Sequence, residues 1–252
     1  MGQVNWSAVD AALFDLDGVL TPTSEVHMRA WAEVFDAFLA TRGLAEPFTD
    51  ADYFAYVDGK PRYDAVRAFL ASRGIDLPEG STDDPPGAGT VRGLGNLKND
   101  AFLETLHRDG MAAYPGSVRL LDWLGGHGVA VAVVSSSRNA AAVLEAAGLA
   151  DRFDVVVDGQ VAAAEDLPGK PAPDTYRYAA RLLHVPYDRA VVLEDALSGV
   201  AAGRAGGFAA VVGVDRGVGA EALREAGADK VVADLADLVP PESAAPPAVR
   251  HP

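Results

Sequence analysis

The chain has 252 residues, 21 Lys+Arg against 36 Asp+Glu for a net charge of −15, 49% hydrophobic residues and no cysteine. That charge excludes a general nucleic-acid or anionic-membrane binder, which needs a basic footprint, and the missing thiols exclude disulfides, thiol catalysis and cysteine-based metal sites. With no 18-residue apolar run and no basic-then-hydrophobic N-terminus, neither a membrane span nor a secretory signal is expected, and a cytoplasmic α/β protein is.

In chain order, the first predicted strand is "ALFDLD" (12–17), an apolar run that ends in two carboxylates, Asp15 and Asp17. Burying an unpaired carboxylate is costly, and two so close raise each other's pKa, so positive charge has to arrive from elsewhere. Residues 24–113 then break the strand–helix rhythm. A helix is predicted over 24–43 with Ser24 as its N-cap. A second covers 62–74, where Val66, Phe69 and Leu70 give the spacing of one buried face. A Pro/Gly-rich exposed loop follows at 75–95, and a third helix at 96–110.

After this insert the alternation resumes. Strands are predicted at 129–135, 153–158, 190–195, 208–214 and 230–235, with helices near 116–125, 138–147, 172–184, 196–205 and 219–226. Gly148 and Gly227 stand where left-handed helix caps are needed. Continuous apolar strands joined by helices predict a parallel sheet covered on both faces. The expected organisation is a Rossmann-like parallel sheet core (1–23 and 114–239) with an inserted all-helical domain (24–113). A disordered tail is expected at 240–252.

In an open parallel sheet, ligands collect at the carboxyl ends of strands. Those ends offer Asp15 and Asp17, then Ser135, Ser137, Arg138 and Asn139, and finally Glu194 and Asp195, with Lys170 in a nearby "GKPAPD" loop. Clustered carboxylates suit a hard cation such as Mg²⁺, which retains waters and substrate phosphate oxygens. Hydroxyls, a helix start and a lysine make an anion cradle. Together they point to phosphoryl transfer on a phosphate monoester. Any one of these residues alone is better read as a cap or loop residue; the set at successive strand ends is not. By contrast, "DGK" (58–60) lacks P-loop spacing, "GRAGGF" (203–208) lacks the dinucleotide fingerprint, and His107, His127, His184 and His251 have no chemical context.

With "FDLDGV" at the first strand, Ser135 after the second, Lys170, and the Glu194–Asp195 pair, the sequence resembles the haloacid dehalogenase superfamily. The resemblance implies that Asp15 is the nucleophile, forming an aspartyl-phosphate, and that Asp17 is the general acid/base. Mg²⁺ would be held by Asp15, Glu194, Asp195 and the backbone carbonyl of Asp17. A carboxylate is a competent nucleophile at neutral pH, and the covalent intermediate divides one hard step into two. The branch that cleaves carbon–halogen bonds does not need Asp17, so its presence favours phosphate.

Within the superfamily the chain resembles the β-phosphoglucomutase-like subgroup along nearly its whole length. The resemblance rests on "DLDGVLTPTSEVHMRAW" (with Thr23, His27, Arg29 and Trp31), "GKPR" (Arg62), "LKND" (Lys98, Asn99) and "SSSRN". It implies a helical cap that closes over the site and a distal phosphate held by Arg62, Ser137, Arg138 and Asn139. His27 and Lys98 would couple sugar binding to cap closure and to Asp17, with Trp31 in the cap core. The implied activity is interconversion of β-glucose 1-phosphate and glucose 6-phosphate through a sugar bisphosphate, with glucose 1,6-bisphosphate as activator. A sugar-phosphate phosphatase with the same core residues is the alternative enzyme, and a non-catalytic phosphosugar-binding module is the reading from another class. The expected partner is a small phosphorylated sugar bound by a monomer. Two departures stand out: Pro22 replaces an acidic residue between the two threonines, and the 75–95 loop is longer than in a compact mutase.

Overall fold

The structure, a computed structural model, describes residues 4–241; residues 242–252, most of the tail expected to be disordered, lie outside it. The elements are β1 (Ala11–Phe14), α1 (Thr23–Thr41), α2 (Asp50–Asp52) running into a π-helical turn at Tyr53–Val57, α3 (Arg62–Ser72), α4 (Val91–Asp109), α5 (Pro115–Gly126), β2 (Ala130–Val134), α6 (Ala140–Ala146), β3 (Val155–Val157), α7 (Gly159–Ala164), α8 (Asp174–Leu182), β4 (Ala190–Glu194), α9 (Leu197–Gly206), β5 (Ala210–Val214), α10 (Ala220–Ala226) and β6 (Lys230–Val232). All strand pairs are parallel, in the order β3-β2-β1-β4-β5-β6. β1 therefore lies centrally, flanked by β2 and β4, and the carboxyl ends of these three strands converge.

Side chains alternate across the sheet, and both faces are buried. Ala12, Phe14, Val131, Val133, Val191 and Leu193 pack with α5 on one face. Ala11, Leu13, Ala132, Val134, Ala190 and Val192 pack with α8 and α9 on the other. The segment between β1 and α5 is all helical, as expected, and has its own apolar cluster built around Trp31, Phe35, Phe48, Phe69 and Leu94. The Phe35 and Phe69 rings lie 4.1 Å apart and are fully buried, so truncating either to Ala costs about 3–5 kcal/mol.

Several expectations are corrected. Helix α1 starts at Thr23, not after Ser24, and Pro22 holds the N-cap position without a side-chain bond. The Thr23 hydroxyl is spent on Asp17 and Thr21, while Ser24 Oγ is buried and unpartnered. Helix α4 begins at Val91 rather than 96, because Thr90 caps it by accepting from Gly93 N at 2.9 Å. The 78–90 stretch is therefore a folded turn system, tied down by Asn96 Nδ2 to the carbonyls of Thr82 and Asp84. The α2–π segment and α7 were not foreseen. Gly148 and Gly227 do adopt positive φ, +67° and +118°.

Candidate active site

The strand β1 ladder carries on through Asp15, whose N–H donates to the Leu193 carbonyl at 2.9 Å. Then the chain turns sharply: the N–H groups of Leu20 and Thr21 both donate to the Leu16 carbonyl. Gly18 sits in this turn at φ +84°, where an added Cβ would fall 1.8 Å from Asp195 Oδ2. Only glycine lets the turn pass that close to the fourth strand's carboxylates.

The cation demanded by the buried carboxylates is Lys170. Its ammonium donates to Asp15 Oδ1 at 2.5 Å, Glu194 Oε2 at 2.7 Å and the Val134 carbonyl at 3.1 Å, which uses all three protons. Glu194 is fully buried and also accepts from the Tyr176 hydroxyl at 2.7 Å and from Ala196 N at 3.0 Å. Burial and the neighbouring charges of Glu194 and Asp17 push the Asp15 carboxyl well above its usual range, against the pull of Lys170. Asp195 is raised likewise by burial and by Asp58 and Glu194.

Asp15, Glu194 and Asp195 each place one oxygen within 4.8 Å of the others. This all-oxygen, carboxylate-rich donor set fits a hard divalent cation such as Mg²⁺. The Asp17 carboxylate is not among them; it faces Thr23, His27 and Ser135, whose hydroxyl lies 3.4 Å away. That orientation suits proton transfer, and leaves only the backbone carbonyl of Asp17 for an ion.

A relay runs from the helical insert to Asp17. His27 Nε2 lies 3.3 Å from Asp17 Oδ1, and His27 Nδ1 is hydrogen-bonded to Lys98 Nζ. The imidazole stacks on Phe102 at 4.1 Å, and Lys98 lies over the Trp31 and Phe102 rings. Burial and then Lys98 lower the His27 pKa, and burial and Arg62 hold the Lys98 pKa well below its ordinary value. A neutral His27 then accepts at Nδ1 from Lys98 and donates from Nε2 to Asp17. Burial pushes the Asp17 carboxyl up, but His27, Thr23 and Lys98 outweigh it and hold it at about 2. Asp17 is thus an ionised base poised on a proton-donating imidazole.

On the far side of the cavity, Arg62 NH2 and Asn139 Nδ2 both donate to Asn99 Oδ1, at 2.5 and 2.7 Å. Burial lowers the Arg62 pKa, with Arg138 pushing the same way against Tyr63, and both arginines line the cavity. Ser137 N donates to Ser135 Oγ at 3.0 Å, and Asn139 N to Ser137 Oγ at 3.1 Å, fixing the loop after β2. The insert closes on this loop and on the start of α9: Ser136 Oγ donates to the Gly59 carbonyl at 2.9 Å, and Ser198 Oγ to the Asp58 carbonyl at 3.3 Å. The result is a cavity of about 70 Å³ with the Asp15 carboxylates at one end and Arg62, Ser137, Arg138 and Asn139 at the other.

Of the residues singled out from sequence, Asp15, Asp17, His27, Trp31, Arg62, Lys98, Ser137, Arg138, Asn139, Glu194 and Asp195 line this cavity, and Ser135 and Lys170 sit beneath it, bonded to its wall. Trp31 does double duty, stacking on Phe35 at 4.9 Å within the insert's core. Sequence reasoning missed Tyr53, Asp58 and Lys60, which the insert brings into the cavity, and the buried Tyr176. The "VDGKPR" stretch around Arg62 was the available signal for Asp58. Burial pushes the Asp58 carboxyl up to about 7, Glu194 adding to the effect and Tyr53 opposing it.

The chain matches the haloacid dehalogenase-like hydrolase family over residues 9–207. It is 54% identical over 241 residues to a β-phosphoglucomutase of Mycobacterium bovis, covering 92% of each chain. A structure of CbbY from Rhodobacter sphaeroides in complex with xylulose-(1,5)bisphosphate superposes with a TM-score of 0.69 at 26% identity, over 91% of this chain and 96% of that one. A β-phosphoglucomutase structure from Clostridium difficile shares the fold, with a TM-score of 0.72 at 24% identity over 91% and 93%. Among the described residues no helix is long and apolar enough to cross a membrane. The chain belongs to the haloacid dehalogenase-like hydrolases, in their β-phosphoglucomutase-like subgroup.

Proposed function

We propose that the protein is a Mg²⁺-dependent β-phosphoglucomutase that interconverts β-glucose 1-phosphate and glucose 6-phosphate through an aspartyl-phosphate and a sugar bisphosphate. The observation that carries this reading is the second cationic end of the cavity, where Arg62 and Arg138 line the wall and Asn99 links Arg62 to Asn139. A hydrolase acting on one phosphate needs one anion site. A mutase must bind a bisphosphate in either direction and needs two, and guanidinium geometry suits phosphate.

Asp15, held by Lys170 at one oxygen, attacks phosphorus with the other; the P–O bond to Asp15 forms as the bond to the departing oxygen breaks. In the return step Asp17, ionised at neutral pH, accepts the proton of the sugar hydroxyl as that oxygen attacks the aspartyl-phosphate, and it then carries the proton for the next departure. His27 and Lys98 orient Asp17 from the cap, so a cap seated on the core is what aligns the base. A bound Mg²⁺ offsets the repulsion between the Asp15 carboxylate and the phosphate, and Asp15, Asp195 and Glu194 with the Asp17 carbonyl are the residues that would hold it. Closure of the helical cap (24–113) keeps water from the aspartyl-phosphate until sugar arrives. Glucose 1,6-bisphosphate as activator, a monomeric state and a cytoplasmic location complete the reading.

The test compares Arg62→Ala and Lys98→Ala with wild type in two assays. Isomerisation should fall at least 100-fold while hydrolysis of a small generic phosphate ester falls less than tenfold. Equal losses in both assays would favour the sugar-phosphate phosphatase.

A further inference from the structure

Tyr176 is fully buried in the first turns of α8, and its ring packs edge-on to Phe208 at 6.1 Å and beneath the Lys170 ammonium at 5.0 Å. A phenylalanine would fill the same space. The hydroxyl is therefore an extra polar group carried into a dry interior, tolerable only because it donates to Glu194 Oε2 at 2.7 Å. That oxygen already has a charged partner, Lys170 at 2.7 Å, so the phenol is not needed to satisfy the carboxylate. A phenol, with an ordinary pKa of about 10, is a donor at neutral pH.

What the second donor changes is the competition for Lys170. The ammonium stands between Glu194 Oε2 and Asp15 Oδ1, with the Asp15 bond the shorter at 2.5 Å. Drawing charge from Glu194 Oε2 weakens its hold on Lys170 and leaves the ammonium to Asp15. The other Glu194 oxygen accepts from Ala196 N at 3.0 Å, so the carboxylate's orientation is set from both sides.

We propose that Tyr176 is a positioning residue that acts through Glu194 and Lys170 to fix the nucleophilic Asp15, and not through the cation. It rests on Asp15 being the phosphoryl acceptor.

The experiment is Tyr176→Phe in the full-length protein, with kcat and KM for β-glucose 1-phosphate and with the Mg²⁺ Kd of the unliganded protein by titration calorimetry. Phe208→Leu, which disturbs the same packing without touching the hydroxyl, is the control. The expected result is a kcat about tenfold lower with KM and the Mg²⁺ Kd each within twofold of wild type. Phe208→Leu should lower Tm while keeping kcat. An unchanged kcat in Tyr176→Phe would overturn the inference, as would a kcat loss accompanied by a severalfold weaker Mg²⁺ Kd, or an equal kcat loss in Phe208→Leu. Absence of any phosphoryl transfer by the wild type would instead remove the reading of Asp15 on which the inference stands.

Discussion

Replacing Lys170 by methionine keeps the stem and removes the one ammonium among the carboxylates Asp15 and Glu194. At its 2.5 and 2.7 Å separations, each lost attraction is worth roughly 6 kcal/mol at an effective dielectric of about 20. The desolvation cost of the lysine is recovered, so the net loss falls to about 3–5 kcal/mol, the range for breaking one side of a buried pair. Asp15 is already pushed toward its protonated form by burial and Glu194. Without Lys170 it takes up a proton rather than remain charged, which holds the loss near the lower end. For a chain of this size each kcal/mol moves Tm by about 2–4 °C, so Lys170→Met should melt roughly 10 °C lower in differential scanning calorimetry without added metal. Saturating Mg²⁺ should raise the variant's Tm more than the wild type's, because it offsets carboxylates that have lost their counter-charge. A variant melting within 2–3 °C of wild type, or one that Mg²⁺ stabilises no more than wild type, would refute the charge balance drawn for Asp15, Glu194 and Lys170.

Other outcomes follow from the same geometry. Asp58, with its folded-state pKa about 7 against 3.8 for an ordinary aspartate, contributes stability fully present below about pH 4 and lost as pH rises to 7. Asp58→Asn should therefore raise Tm relative to wild type at pH 8 and lose that advantage only below about pH 4, by an amount on the order of a few kcal/mol, read from paired melts. His27→Asn removes the Nε2 donor to Asp17 and the acceptor for Lys98, and should lower kcat for isomerisation by one to two decades in steady-state kinetics, while a thermal melt stays within a few degrees of wild type. Gly18→Ala should leave little soluble folded protein, since its Cβ would fall on Asp195 Oδ2 in a positive-φ turn.

The sheet was legible because its strands are apolar on both faces and are punctuated by helix caps such as Gly148 and Gly227. Its edges were not: β3 and β6 are only Val155–Val157 and Lys230–Val232, shorter than their apolar runs, because edge strands pair on one side alone. The core site was legible because Asp15, Ser135 and Asp195 each follow a strand end and Lys170 lies in the loop before α8, and the set together is more than capping requires. Asp17 lines the cavity, but its carboxylate turns to Thr23 and His27, a choice made by a helix that the sequence of β1 does not announce. The start of α1 was misplaced because Pro22, with no side-chain donor or acceptor, holds the N-cap position and carries no capping signal. Asp58 and Tyr176 were invisible because their meaning depends on Glu194, which is more than a hundred residues from the first and meets the second only through the fold. A lone Asp in a turn or a Tyr on a helix carries no mark of that partner.

The measurement that bears most directly on the whole account is one assay with purified protein, Mg²⁺, β-glucose 1-phosphate and a trace of glucose 1,6-bisphosphate, following glucose 6-phosphate and inorganic phosphate together. The account predicts glucose 6-phosphate forming far ahead of free phosphate, because the seated cap keeps water from the phosphorylated Asp15 and the Arg62–Arg138 end receives the second phosphate. Free phosphate keeping pace with substrate loss would contradict it.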